Sequence, residues 1–144
     1  SPTTATFGSD DRPLIALPGY RLARDADMLR LTLVWQAAGA PGDFTRFVHL
    51  YDPALGMAAQ SDGLPQQESN PTWAWTPGEQ IVDRVTLQVT ADAKPGRYRL
   101  VSGFYDAQAG GERVALFGDD GQQLTDNLAT LSDVIIEAGD PPVQ

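Results

Sequence analysis

The chain has 144 residues, 19 acidic against 10 basic side chains for a formal net charge of −9, and no cysteine. That length suits one domain whose core needs neither metal nor disulfide, and the missing cysteines exclude thiol nucleophiles and thiolate metal sites. The acidic balance argues against nucleic acid or an anionic membrane surface as partner, and a hydrophobic content of 42% excludes a fully disordered chain.

Residues 1–11, SPTTATFGSDD, are small and polar without periodicity, and are expected to form a flexible lead-in that reads as a mature or cut end. The first apolar segment, 14–22, is broken by Pro18-Gly19, which suits a sheet edge or a bulge. Over 28–37 the period is two. Leu29, Leu31, Leu33 and Trp35 share one face, and Arg30, Thr32, Val34 and Gln36 the other, as in a strand with one wet side. Strands are predicted over 44–51, over 57–61 as a hairpin partner, and over 80–90, where Ile81, Val85, Leu87 and Val89 are in phase. Pro95-Gly96 turns the chain into 97–105, with Tyr98, Leu100 and Phe104 in phase; 114–117 and 131–136 complete the set. The tail 138–144, with Pro141-Pro142, is expected to be flexible.

No apolar run reaches 18 residues, so no direct membrane insertion is expected. Fourteen glycines and 11 prolines favour short elements. Seven to nine short strands and no helix of useful length predict an all-β, antiparallel two-sheet sandwich over 12–137, and the broken first strand favours open edges over a closed barrel. Two segments, Leu50-Tyr51-Asp52 running to Gly56 and Phe104-Tyr105-Asp106 running to Gly110, read as similar hairpins, with Asp bonding the turn and Gly supplying a positive φ.

Catalytic signatures are absent: the sequence carries no Gly-x-Ser-x-Gly, His-Glu-x-x-His or phosphate-loop motif. His49, the single histidine, alternates with Phe47 and Tyr51 on one strand face. Alone, it predicts neither zinc nor nucleophilic chemistry. Asp83 falls in phase with Ile81 and Val85 on the face to be buried, so it demands a partner; Arg46, His49 or backbone N–H groups are the candidates. An enzyme would need Asp83, His49 and Glu79 to converge in one pocket. Tyr98, at a strand start after Pro95-Gly96, suits a tyrosine corner, with Asp92 as a further anchor. The acidic turns at 106–112 and 118–121 lack a calcium-loop spacing, and no metal or cofactor is expected. Trp73 and Trp75 stand in the Pro-punctuated stretch 70–79. They either plug one end of the sandwich or offer rings to a sugar, Trp75 being the better packing residue and Trp73 the better exposed one.

Five segments taken together carry a resemblance. They are Leu31-Thr32-Leu33-Val34-Trp35-Gln36-Ala37, Phe47-Val48-His49-Leu50-Tyr51-Asp52, Pro71-Thr72 with Trp75-Thr76-Pro77-Gly78-Glu79, Asp83-Arg84, and Pro95-Gly96-Arg97-Tyr98-Arg99-Leu100 running to Gly103-Phe104-Tyr105-Asp106. In this order they resemble the extracytoplasmic C-terminal β-sandwich of bacterial dolichyl-phosphate-mannose mannosyltransferase-like membrane proteins. At fold level they resemble fibronectin III and immunoglobulin-like modules. The resemblance implies a non-catalytic extracytoplasmic accessory module of a cell-envelope protein, with the membrane portion of the parent as its partner and no catalytic residue of its own. The alternative is a carbohydrate-binding module that contacts an oligosaccharide through Trp73, Trp75 and the Phe47, His49, Tyr51 face; a hydrolase-type enzyme is the third reading.

Overall fold

The computed structural model describes residues 6–8, 12–66, 69–118 and 120–137. Ten strands follow in order: β1 Thr6–Gly8, β2 Pro13–Asp25, β3 Met28–Ala37, β4 Thr45–Asp52, β5 Gly56–Gly63, β6 Gln80–Gln88, β7 Gly96–Asp106, β8 Glu112–Arg113, β9 Leu116–Phe117 and β10 Ala129–Ile136. They form two antiparallel five-stranded sheets. The first runs β6-β3-β2-β1-β9; the second runs β10-β7-β4-β5, with β8 pairing the far end of β7. The result is a β-sandwich, and the only helical pieces among the described residues are three short 3-10 turns. No helix among them is long and apolar enough to cross a membrane.

The alternation in the sequence becomes the contact between the layers. Leu29, Leu31, Leu33 and Trp35 of β3, with Ile81, Val85 and Leu87 of β6, face Val48 and Leu50 of β4 and Tyr98, Leu100 and Phe104 of β7, all buried. Phe104 sits at the hub of an aromatic cluster, edge-on to Trp35 at 4.7 Å, Phe7 at 5.3 Å and Trp75 at 6.3 Å. Such edge-to-face contacts add about 0.5–1.5 kcal/mol each beyond area burial.

Two features raise the strand count above the expected seven to nine. The predicted lead-in is not uniformly loose: Thr6–Gly8 pairs β2 and β9, and Phe7 lies fully buried in the core. One large ring captures a segment too short to show a period. The segment 114–117, read as one strand, is instead where the chain changes sheets. Arg113 pairs β7, Leu116 pairs β1, and between them Val114 N–H donates to Phe104 O while Ala115 O accepts from Gly8 N–H. Pro18, expected to break its strand, is absorbed in a bulge between Ala16 and Gly19, and β2 continues through it. The open side of the sandwich is tied by side chains: Tyr20 O–H donates to Leu131 O, and Arg24 Nη1 donates to Ile135 O at 2.6 Å. The tail 138–144 and residues 1–5 and 9–11 of the lead-in lie outside the described residues.

Candidate functional site

The outer face of the second sheet should face water along its whole length. It does not. Leu100 to Phe104 of β7 are buried without a break, as are Arg46, Phe47 and Val48 of β4. Strand residues alternate between faces, so unbroken burial means that both faces are covered. The cover comes from the excursion between β7 and β10. It leaves β7 through a turn at Asp106–Gly111, in which Asp106 Oδ1 accepts from Gln108 N–H and Gly110 takes φ 74°, and then folds back over the sheet.

Phe47 and Gly103 on the sheet, with Arg113 on the excursion, hold that cover. Phe47 stands opposite Gly103, where an added Cβ would lie 2.7 Å from the Phe47 ring and 3.1 Å from Asn127 O. Glycine therefore makes the space the ring occupies. The Arg113 guanidinium lies 4.9 Å above the same ring, and its Nη1 donates to Asp126 O at 3.0 Å. On the sheet, Phe47 packs against His49 at 4.8 Å and Tyr105 at 6.3 Å. Asp62 of β5 joins both neighbours: Oδ1 pairs His49 Nε2 at 3.2 Å, and Oδ2 accepts from the Tyr105 hydroxyl at 3.3 Å. Burial first, then the charge of Asp62, holds the Tyr105 phenol above its usual range, so it stays a donor.

Beside this cover the face opens into a cleft of about 370 Å³. Strand register orders its floor. One row runs Met57, Tyr51 and Arg99 across β5, β4 and β7, with Asp133 of β10 beyond the cleft; the next runs His49, Val101 and Thr130 across β4, β7 and β10, with Gln60 of β5 beyond it. Asp126 and Leu128 of the excursion, with Arg113, make the wall, and Pro53 of the β4–β5 turn closes the other end. That turn is held by Asp52 Oδ2, which accepts from Ala54 and Leu55 N–H. Tyr51 and Met57 are each about two-fifths exposed, at 43% and 41%. Arg99 is exposed and makes no ion pair or side-chain hydrogen bond with any described residue.

The predicted ligand residues therefore separate. His49 and Tyr51 line the cleft. Phe47 lies on the same face but is buried under Arg113, so it is a support and offers no surface of its own. Trp75 as a ligand contact is corrected: it is 4% exposed, packs against Phe104 and donates Nε1–H to Asn70 O at 3.2 Å. Trp73, 64% exposed, rides a 3-10 turn fastened by Thr72, whose hydroxyl donates to Gly42 O and accepts from Phe44 N–H; it does not line the cleft. Arg99, Arg113, Met57 and Asp126 were not expected. Their one sequence signal is the outward phase of Arg99 beside Tyr51 and of Gly103 beside Phe47.

The two structural anchors lie elsewhere. Asp83 is fully buried and accepts from Arg46 Nε at 2.8 Å, Gln66 N at 2.9 Å, Trp35 Nε1 at 3.2 Å and Arg46 Nη2 at 3.5 Å. Arg46 also donates to Ser61 O, so this pair joins β6 and β3 of one sheet to β4 and β5 of the other and to the loop at Gln66. Of the partners expected for Asp83, Arg46 and a backbone N–H are present and His49 is not, while the Trp35 indole N–H is an additional donor. Tyr98 O–H donates to Lys94 O at 2.6 Å, a carbonyl four residues back, where Asp92 was the expected further anchor. Asp83, His49 and Glu79 do not converge: Asp83 is in the core, His49 is on the outer face, and Glu79 Oε1 caps its own turn at Thr76 N–H. Among the described residues no cluster of His, Asp or Glu has metal-ligand form. Comparisons of the chain with protein-family models, curated proteins and solved structures find no match.

Proposed function

We propose that this chain is a non-catalytic interaction module of a larger extracytoplasmic, cell-envelope protein, and that it makes its contacts through the cleft on the outer face of the second sheet. The observation that carries the reading is the covered outer face. A sandwich needs its inner faces for stability; this one also holds an excursion over β4 and β7, through Phe47, Arg113 and Asn127, and so shapes a walled recess on a rigid floor. Concave sites on stiff elements are the usual form of a binding surface. The groups with acid–base capacity support a non-catalytic role, because they serve separate ends: Asp83 in the core, Glu79 in a turn, His49 against Asp62.

The resemblance to the mannosyltransferase-associated sandwich supports the envelope setting and a membrane-embedded parent as partner. The parent's full reading frame tests this part: expressed in a bacterial host with an epitope on this chain, the chain should be cleaved by protease added outside the cytoplasmic membrane. Protection in intact spheroplasts would refute it.

A second reading, that the partner is a saccharide, is favoured by the cleft's composition. Tyr51 and Met57 offer half-exposed apolar surface next to the hydrogen-bonding groups of Arg99, His49 and Thr130, the mixture that suits a sugar's apolar face and its hydroxyl rim. Calorimetric titration of the module with a panel of cell-envelope oligosaccharides tests it. Absence of heat at millimolar ligand, for acidic and neutral members alike, would refute it.

A further inference from the structure

Within the saccharide reading, on which this inference rests, we infer that the cleft selects an acidic sugar, and that its carboxylate is received by Arg99. The chain carries a net charge of −9, yet the cleft holds two arginines, Arg99 on its floor and Arg113 in its wall. They are in different states. Arg113 is spent: it stacks on Phe47 and donates to Asp126 O. Arg99 is not. It is exposed and lacks a side-chain partner among the described residues.

Two carboxylates near Arg99 are engaged elsewhere, and none pairs with it. Asp133, opposite it in register on β10, lies 3.9 Å from Arg97. Asp62 is divided between His49 and Tyr105. Asp126 lines the wall but contacts Arg113 through its backbone oxygen, and neither Asp126 nor any other described acid lies within ion-pair distance of Arg99.

Arg99 stands beside Tyr51 in register, and Tyr51 stands beside Met57. A pyranose ring laid on Tyr51 and Met57 would put an equatorial carboxylate of a uronic acid within reach of the guanidinium. The guanidinium offers a planar fork of N–H donors that matches a carboxylate in bidentate geometry. Because the whole chain is acidic, long-range steering does not favour the ligand, and selection must come from this short-range contact. The class of ligand is therefore a hexuronate-containing oligosaccharide, distinguished from a neutral sugar by one charged group and from a bare carboxylate by its ring.

The test uses a hexuronate tetrasaccharide, the same tetrasaccharide after reduction of its carboxyls to alcohols, and acetate, titrated by calorimetry into the wild-type chain and into Arg99→Ala and Arg99→Lys. Arg99 is exposed and belongs to no core contact, so both variants should unfold at the wild-type denaturant midpoint. The inference expects the acidic form to bind about tenfold or more tightly than the reduced form. Arg99→Ala should abolish that ratio, Arg99→Lys should restore part of it, and acetate should compete poorly. Equal binding of the two tetrasaccharides, or a ratio that survives Arg99→Ala, would overturn the inference while leaving a saccharide site in place. Acetate competing as well as the sugar acid would overturn it in favour of a bare anion site. No binding of either tetrasaccharide would overturn it together with the saccharide reading.

Discussion

Replacing Asp83 by alanine should be the most damaging single polar change in the chain. The carboxylate accepts four donor contacts, at 2.8, 2.9, 3.2 and 3.5 Å, and is wholly buried. Its removal leaves Arg46, itself 4% exposed in its side chain, with Ser61 O as its remaining protein acceptor, and strands Trp35 Nε1 and Gln66 N. Breaking a buried pair from one side costs about 3–5 kcal/mol, mostly for the uncompensated charge. The double change Asp83→Leu with Arg46→Met removes that charge, and should recover more than about 1 kcal/mol of the loss. It should stay below wild type, because two N–H donors remain without acceptors. Urea unfolding followed by Trp fluorescence and far-UV circular dichroism measures both. A loss below about 1 kcal/mol for Asp83→Ala at unchanged m-value would refute the reasoning, since a clasp joining both sheets cannot be removed so lightly.

Four further changes have definite outcomes. Gly103→Ala should lose about 1–3 kcal/mol by overlap with the Phe47 ring, and Phe47→Leu in the same chain should recover part of it; equal losses in single and double variants would contradict that contact. Phe7→Ala should cost about 3–5 kcal/mol in chemical denaturation, and a neutral result would remove β1 from the core. Iodide should quench one tryptophan class, and Trp73→Phe should eliminate it with stability changed by less than about 0.5 kcal/mol, since Trp35 and Trp75 are buried. The raised Tyr105 phenol binds its proton more tightly folded than unfolded, so its contribution is intact below the ordinary phenol value of 10.0 and fades as pH rises through the folded value; Tyr105→Phe should flatten that alkaline loss in denaturation midpoints.

The inner layers were legible because alternation is a local signal. Residues 28–37 declare a face without reference to any other part of the chain, and the phase of Asp83 among Ile81 and Val85 marks it for burial in the same way. Tyr98 is legible through its turn, Pro95-Gly96. What failed was long-range. Phe7 sits in a three-residue strand among small polar neighbours, and no period exists at that length. The crossing at Val114-Ala115 depends on Phe104 and Gly8, ten and more than a hundred residues away. Trp75 and Trp73, two residues apart in one loop, divide as their positions suggested, Trp75 packed on Phe104 with its Nε1–H on Asn70 O and Trp73 exposed.

The cleft was the least legible element, since its wall belongs to an excursion with no strand period of its own. Arg99 alternates outward like any solvated strand residue. Its distinction is that Asp133 and Asp62 beside it are engaged elsewhere and that no described acid pairs with it, which only the fold can reveal.

The most direct measurement is a backbone amide shift map of the labelled chain titrated with the hexuronate tetrasaccharide. The largest changes should fall on Tyr51, Met57, Arg99, Val101 and Leu128, with the 70–78 loop still. Changes centred on Trp73 and its neighbours, with the outer face of β4 and β7 unmoved, would contradict a ligand site in the cleft.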